Sequence, residues 1–97
     1  MKVTAVSEVQ HDPATKQFTR VVDGHQACLS YMDLGRQTID IYRTFVPEAL
    51  RGRGVAAELA EAALLFAEAQ GYTVLASCSY VERYMERRAR RPAAPAQ

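Results

Sequence analysis

Polar and apolar residues alternate through the first half of the chain and change period near its middle. Phe18 to Asp23 alternates weakly, while Gln26 to Met32 sets Ala27, Leu29 and Tyr31 against Gln26, Cys28 and Ser30. Gln37 to Val46 is the longest run, with Ile39, Ile41 and Phe45 on one side and Asp40, Tyr42 and Thr44 on the other. A period of two predicts half-buried strands. Asp23-Gly24 and Leu34-Gly35 supply turn chemistry between the runs, so this half predicts an antiparallel meander. Val3 to Val9 is a candidate further strand, with Asp12-Pro13 breaking the chain after it.

From Val55 the apolar positions Val55, Leu59, Ala62, Ala63 and Phe66 recur at helical spacing, with Glu58, Glu61 and Glu68 on the opposite face. Gly71 is placed to cap this helix at its C-terminus. Thr73 to Ala76 is short, β-branched and apolar, which predicts a buried strand. Ser79 and Glu82 have capping-box spacing and open a second helix, with Tyr80, Val81, Tyr84 and Met85 as its inner face. Strands followed by helix, strand and helix predict a mixed α/β (α+β) domain. The segment 90–97 carries two prolines and no apolar period, which predicts a flexible tail behind a single domain over residues 1–89.

Composition narrows the function classes. At 97 residues, 48% hydrophobic and 24% charged, the chain is an ordinary globular domain with a thin core. Twelve basic against eleven acidic side chains leave +1, too little to draw nucleic acid to the whole surface. Arginines do gather at the end (Arg83, Arg87, Arg88, Arg90 and Arg91), but Glu82 and Glu86 alternate with them, which predicts a solvated face. No stretch is apolar enough to cross a bilayer, and Met1 to Glu8 lacks the apolar run of a signal peptide. Cys28 and Cys78 are too few for a disulfide scaffold, and no His/Cys/Asp cluster suggests a metal. The expectation is a cytoplasmic protein with both thiols free.

Chemistry concentrates at Pro47-Glu48-Ala49-Leu50-Arg51-Gly52-Arg53-Gly54-Val55-Ala56, between the longest strand and the main helix. Helix starts favour Ser, Thr or Asp at the cap and acidic side chains in the first turn. Here Arg51 and Arg53 place positive charge at the positive end of the dipole, which becomes favourable once an anion sits there. Gly52 and Gly54 let the backbone approach, so unbonded N–H groups can cradle a phosphate. The plainer alternative is a glycine-loosened loop with two solvated arginines. Gly52-x-Gly54-x-x-Ala57 formally fits a dinucleotide fingerprint, but the antiparallel strands before it and the missing carboxylate near Ala76 argue against that fold. There is no P-loop sequence.

Arg51-x-x-Gly54-x-Ala56 resembles the Q/R-x-x-G-x-G/A pyrophosphate motif of the GNAT acetyltransferase superfamily. With Thr44-Phe45-Val46-Pro47 before it and Cys78-Ser79-Tyr80-Val81 after it, the chain is similar to the very short GNAT-like N-acetyltransferases over roughly residues 6–85. The resemblance implies a minimal GNAT-like fold and acetyl-coenzyme A as the bound cofactor. Backbone amides of Arg51, Gly52, Arg53, Gly54, Val55 and Ala56 would hold its pyrophosphate, and Thr44, Phe45 and Val46 would pair with its pantetheine arm. Two positions depart from the pattern expected: Arg43 stands where a histidine would precede the threonine, and Ala76 where a proline would end the strand before the cysteine.

Cys78 lies between a short strand and a helix start, where the dipole favours thiolate and nucleophilicity; a small buried hydrophobe is the alternative. Tyr80 and Tyr84, one turn apart, are candidate proton donors to a departing coenzyme thiolate, or plain core residues. Cys28 reads as structural, and His11 and His25 as surface residues. The sequence thus predicts an acetyltransferase acting on a small-molecule or peptide amine, directly or through Cys78, as a monomer or homodimer. A coenzyme A-binding module without turnover, acting through a partner, is the second reading.

Overall fold

The computed structural model describes residues 8–90. Its elements are β1 (Gln10–Asp12), β2 (Gln17–Val22), β3 (His25–Gly35), β4 (Thr38–Phe45), a 3-10 turn (Glu48–Leu50), α1 (Val55–Gln70), β5 (Thr73–Ala76) and α2 (Ser79–Arg90). The strands form one sheet in the order β1-β2-β3-β4-β5; the first four are antiparallel, and β5 pairs parallel to β4. A parallel neighbour requires a crossover, which α1 supplies. The fold is the mixed α/β architecture expected, a meander followed by helix, strand and helix.

Core residues follow the two periods. Ala27, Leu29 and Tyr31 on β3 and Ile39 and Ile41 on β4 are buried under both helices. Helix α1 buries Val55, Leu59, Ala60, Ala63, Leu64 and Ala67, and three of these alanines are wholly inaccessible, so the helix lies close to the sheet. Ala62 and Phe66 sit at the flank of that stripe. Enclosing Leu59 alone contributes about 1.5–3 kcal/mol. Gly71 ends the helix at φ 78°, its N–H bonded to Glu68, as a left-handed cap requires.

Several expectations are corrected by tertiary context. The second hairpin turns at Arg36-Gln37, both at positive φ, because the β3–β4 ladder is still paired at Gly35↔Thr38. The candidate strand at Val3 to Val9 falls largely outside the described residues; Glu8 and Val9 are not in a strand, and pairing begins at Gln10. The tail prediction for residues 91–97 also lies outside the described residues, whereas Arg90 is the last residue of α2. β5 is half-exposed rather than buried, since it is an edge strand. Glu58 and Glu61 do not face plain solvent. Arg20 Nε meets Glu58 at 2.8 Å, and Arg88 bridges Glu61 at 2.9 Å and Glu68 at 2.8 Å. Those two carboxylates hold the Arg88 guanidinium firmly protonated.

His11 is not a surface residue. It pairs across the ladder with Phe18, stacks on that ring at 4.1 Å, meets the edge of Phe66 at 4.4 Å, and places Nε2 2.7 Å from the Tyr31 hydroxyl. Burial holds its pKa below the ordinary histidine value, against the opposing pull of the Asp12 carboxylate. Nothing in the local sequence announces this, because its partners come from three other elements.

Candidate active site

The site begins with a fault in the β3–β4 ladder. Tyr31 pairs with Ile41 but Ser30 pairs with Arg43, so β4 carries one extra residue around Tyr42. The extra residue inverts the faces expected beyond it. Thr44 lies opposite the buried Leu29 and joins the helix side, whereas Phe45 lies opposite Cys28 on the other face, with the Arg43 guanidinium 5.6 Å from its ring centre. A one-residue slip has that effect because side chains alternate strictly along a strand.

The second feature is a divergence of strands. The last β4–β5 pair is Ile41↔Ala76, yet β4 continues to Phe45. Asp40 fixes the point of departure by accepting from the Ser77 N–H at 2.9 Å and from its hydroxyl at 2.8 and 3.0 Å. Cys78 N–H then donates to the Ile41 carbonyl at 3.1 Å, and the chain turns into α2. The Cys78 carbonyl accepts the first helical bond, from Glu82, so the cap position is Cys78 rather than Ser79. Its half-buried thiol donates to Thr44 Oγ1 at 3.6 Å across the divergence. The inverted register is what brings this hydroxyl to the thiol.

The third feature is the loop before α1. Leu50, wholly buried, anchors the 3-10 turn, and Gly52 and Gly54 both adopt φ 80°. The N–H groups of Arg51 and Arg53 are used within the loop, and that of Glu58 in the first helical turn. Among the described residues, those of Gly52, Gly54, Val55, Ala56 and Ala57 donate to no acceptor. They border a cavity of about 250 Å³ lined by Val46, Leu50, Arg51, Gly52, Gly54 and Tyr80, among others. A Cβ at Gly52 or Gly54 would meet nothing within 4 Å, so these glycines leave open space in front of donor groups. Unbonded donors at a helix N-terminus are suited to an anion.

The predicted residues therefore divide. Val46, Arg51, Gly52, Gly54, Val55, Ala56 and Tyr80 share the loop cavity, and Thr44 and Cys78 meet at the strand divergence. Arg53 turns toward the β2–β3 hairpin, 3.2 Å from Asp23. Phe45 lies on the far face of the sheet. Tyr84 stacks near Tyr80 at 6.4 Å, but its hydroxyl donates to Glu61 Oε1 at 2.6 Å. Sequence reasoning missed Leu50, Ala57 and the Asp40–Ser77 clasp; an acidic residue on a solvent-side strand position carries no distinguishing mark.

Comparison with known proteins gives the family. The family described as GCN5-related N-acetyl-transferase matches residues 17–92. This chain belongs to that family. Among its relatives, Protein NATD1 of Homo sapiens is 38% identical over 80 residues, covering 80% of this chain and 71% of its own length. Protein NATD1 of Gallus gallus is 37% identical over 81 residues, covering 81% and 74%. The solution structure of a GCN5-like protein from Staphylococcus aureus superimposes with a TM-score of 0.66 at 25% identity, covering 84% of this chain and 79% of that one. The five-stranded, mostly antiparallel sheet with its two helices is thus the fold of a GNAT-family acetyltransferase domain. Among the described residues no helix is long and apolar enough to cross a membrane.

Proposed function

We propose that the chain uses acetyl-coenzyme A to acetylate an amine, with the pyrophosphate on the loop before α1 and the reacting thioester near Cys78. The observation that carries this reading is the set of unpartnered N–H groups of Gly52, Gly54, Val55, Ala56 and Ala57, beside a cavity that Val46, just after β4, also lines. Arg51 adds positive charge there, and Arg53 stands beside it in an exposed pair that a phosphate can outcompete. Thr44, Phe45 and Val46 offer backbone groups past the last β5 pair to an extended pantetheine arm.

In the transfer, the Cys78 sulfur would attack the thioester carbonyl as it gives up its proton, the bond to coenzyme sulfur would break, and the departing thiolate would take a proton from Tyr80, which the Cys78 proton replaces. The amine then attacks the cysteine thioester and restores the thiol. Thr44, in contact with the sulfur, orients it. Tyr80, which borders the loop cavity, is the phenol assigned to protonate the departing thiolate; the Tyr84 proton already goes to Glu61. Tyr84 is assigned a positioning role, holding α2 to α1.

Intact mass after incubation with acetyl-coenzyme A tests the reading. The expected result is one added acetyl group, absent in Cys78→Ala and discharged by an amine. Tight coenzyme A binding with neither adduct nor turnover would leave a binding module acting through a partner. Failure to bind coenzyme A would remove the proposal.

A further inference from the structure

Among the described residues, β5 is the terminal strand of the sheet and pairs with β4 alone. The Thr73 N–H donates toward the β4 side, to the Gln37 carbonyl at 2.7 Å. Strand alternation therefore turns the backbone N–H and C=O groups of Val74 and Ala76 outward. Nothing in Thr73-Val74-Leu75-Ala76 blunts that edge except its shortness: it has no charge and no proline, and Leu75 is 49% exposed. Such an edge is a template for another strand.

Helix α2 overhangs the edge. Between them lies a groove of about 380 Å³ with Val74, Ala76, Met85 and Ala89 as its apolar surface and Glu82 and Glu86 on the helix side. Glu8, Glu58, Glu61 and Glu68 are all in ion pairs, with Arg20 or Arg88. Among the described residues, Glu82 and Glu86 are in none. Two-fold pairing of β5 with a second copy would bring both sets of these carboxylates over one merged groove, where like charges repel. A basic segment meets the same groove with opposite charge.

We propose that the β5 edge receives an extended, lysine- or arginine-bearing segment of a partner protein, added as a sixth strand beneath α2. Glu82 and Glu86 are four residues apart on the helix, about 6 Å along its axis. Alternate residues of a strand repeat at about 6.6 Å. Basic residues at positions i and i+2 of the segment therefore match the two carboxylates, while their aliphatic stems cover Met85 and Ala89. Main-chain bonds to Val74 and Ala76 set the register. The proposal does not depend on acetyl transfer.

The test uses the full chain and a capped nine-residue peptide alternating valine and lysine, with a valine–glutamate peptide as control, followed by amide hydrogen exchange and NMR titration. The lysine peptide is expected to slow exchange at the Val74 and Ala76 N–H groups, and the control to leave them unchanged. Glu82→Lys with Glu86→Lys is expected to weaken binding about tenfold or more, two attractions having become repulsions. The isosteric Glu82→Gln with Glu86→Gln, which spares the helix, should give a smaller loss. Three results overturn the proposal: no binding, binding that leaves those two amides unprotected, or equal affinity in the Gln variant. Concentration-dependent protection of the same amides without peptide would also overturn it, making a second copy the occupant.

Discussion

Gly54→Ala separates the two duties of the glycine before α1. Gly54 holds φ 80° and ψ 10°, and an added Cβ meets nothing within 4 Å. The substitution therefore introduces no clash, only the strain of a left-handed alanine, about 1–2 kcal/mol. A domain of this size holds roughly 5–15 kcal/mol of stability, so the variant stays folded. At about 4–8 °C per kcal/mol, Tm falls by about 4–16 °C. Gly71→Ala is a matched control at the other end of the same helix, with φ 78° and only the tip of the Gln37 side chain near, at 3.7 Å. The two variants should lose similar stability by differential scanning calorimetry. Their ligand affinity should part company. A methyl at Gly54 projects into the space before the unbonded amides and displaces at least one amide–phosphate hydrogen bond, each contributing about 1.5–3 kcal/mol. Coenzyme A should then bind about tenfold to a hundredfold more weakly to Gly54→Ala, and unchanged to Gly71→Ala, by isothermal calorimetry. Equal affinities in two equally destabilised variants would refute the assignment of this loop to the pyrophosphate.

Arg51→Ala should weaken coenzyme A more than pantetheine in the same titration, because the charge meets phosphate; equal losses would place its role elsewhere. Coenzyme A should shield Cys78 from iodoacetamide while leaving Cys28, on the far face of the sheet, as reactive as before, and Gly54→Ala should lose that shielding; mass spectrometry of labelled peptides reads both sites together. His11 makes stability pH-dependent. Burial lowers its folded-state pKa, so the unfolded chain binds more protons between that value and about 6.5. Its contribution is complete above that window and is lost as pH falls through it. Urea unfolding at pH 7.5 and pH 5 should accordingly show a smaller stability difference in His11→Gln than in the wild type, and an unchanged difference would refute the burial argument.

The sequence by itself determined most of the elements and marked the loop before α1 as an unusual helix start. Period two through Ile41, period 3.6 from Val55 and the glycine at 71 follow from local sterics and from which side chains avoid water, so they were legible one segment at a time. Arg51, Gly52 and Gly54 could likewise be read, because an arginine-flanked glycine pair at a helix start conflicts with ordinary capping. Tertiary structure decided what depends on two elements meeting. The extra residue at Tyr42 reversed the faces of Thr44 and Phe45, since register is a property of a strand pair and not of a strand. Only that reversal sets Thr44 against Cys78. Distant partners also took Tyr84 to Glu61, Arg53 to Asp23 and His11 into an aromatic cluster. Those contacts join separate elements, with the hydrogen-bonded partners 20 to 30 residues apart, and no local pattern encodes them, because each residue is equally at home in solvent until the sheet closes.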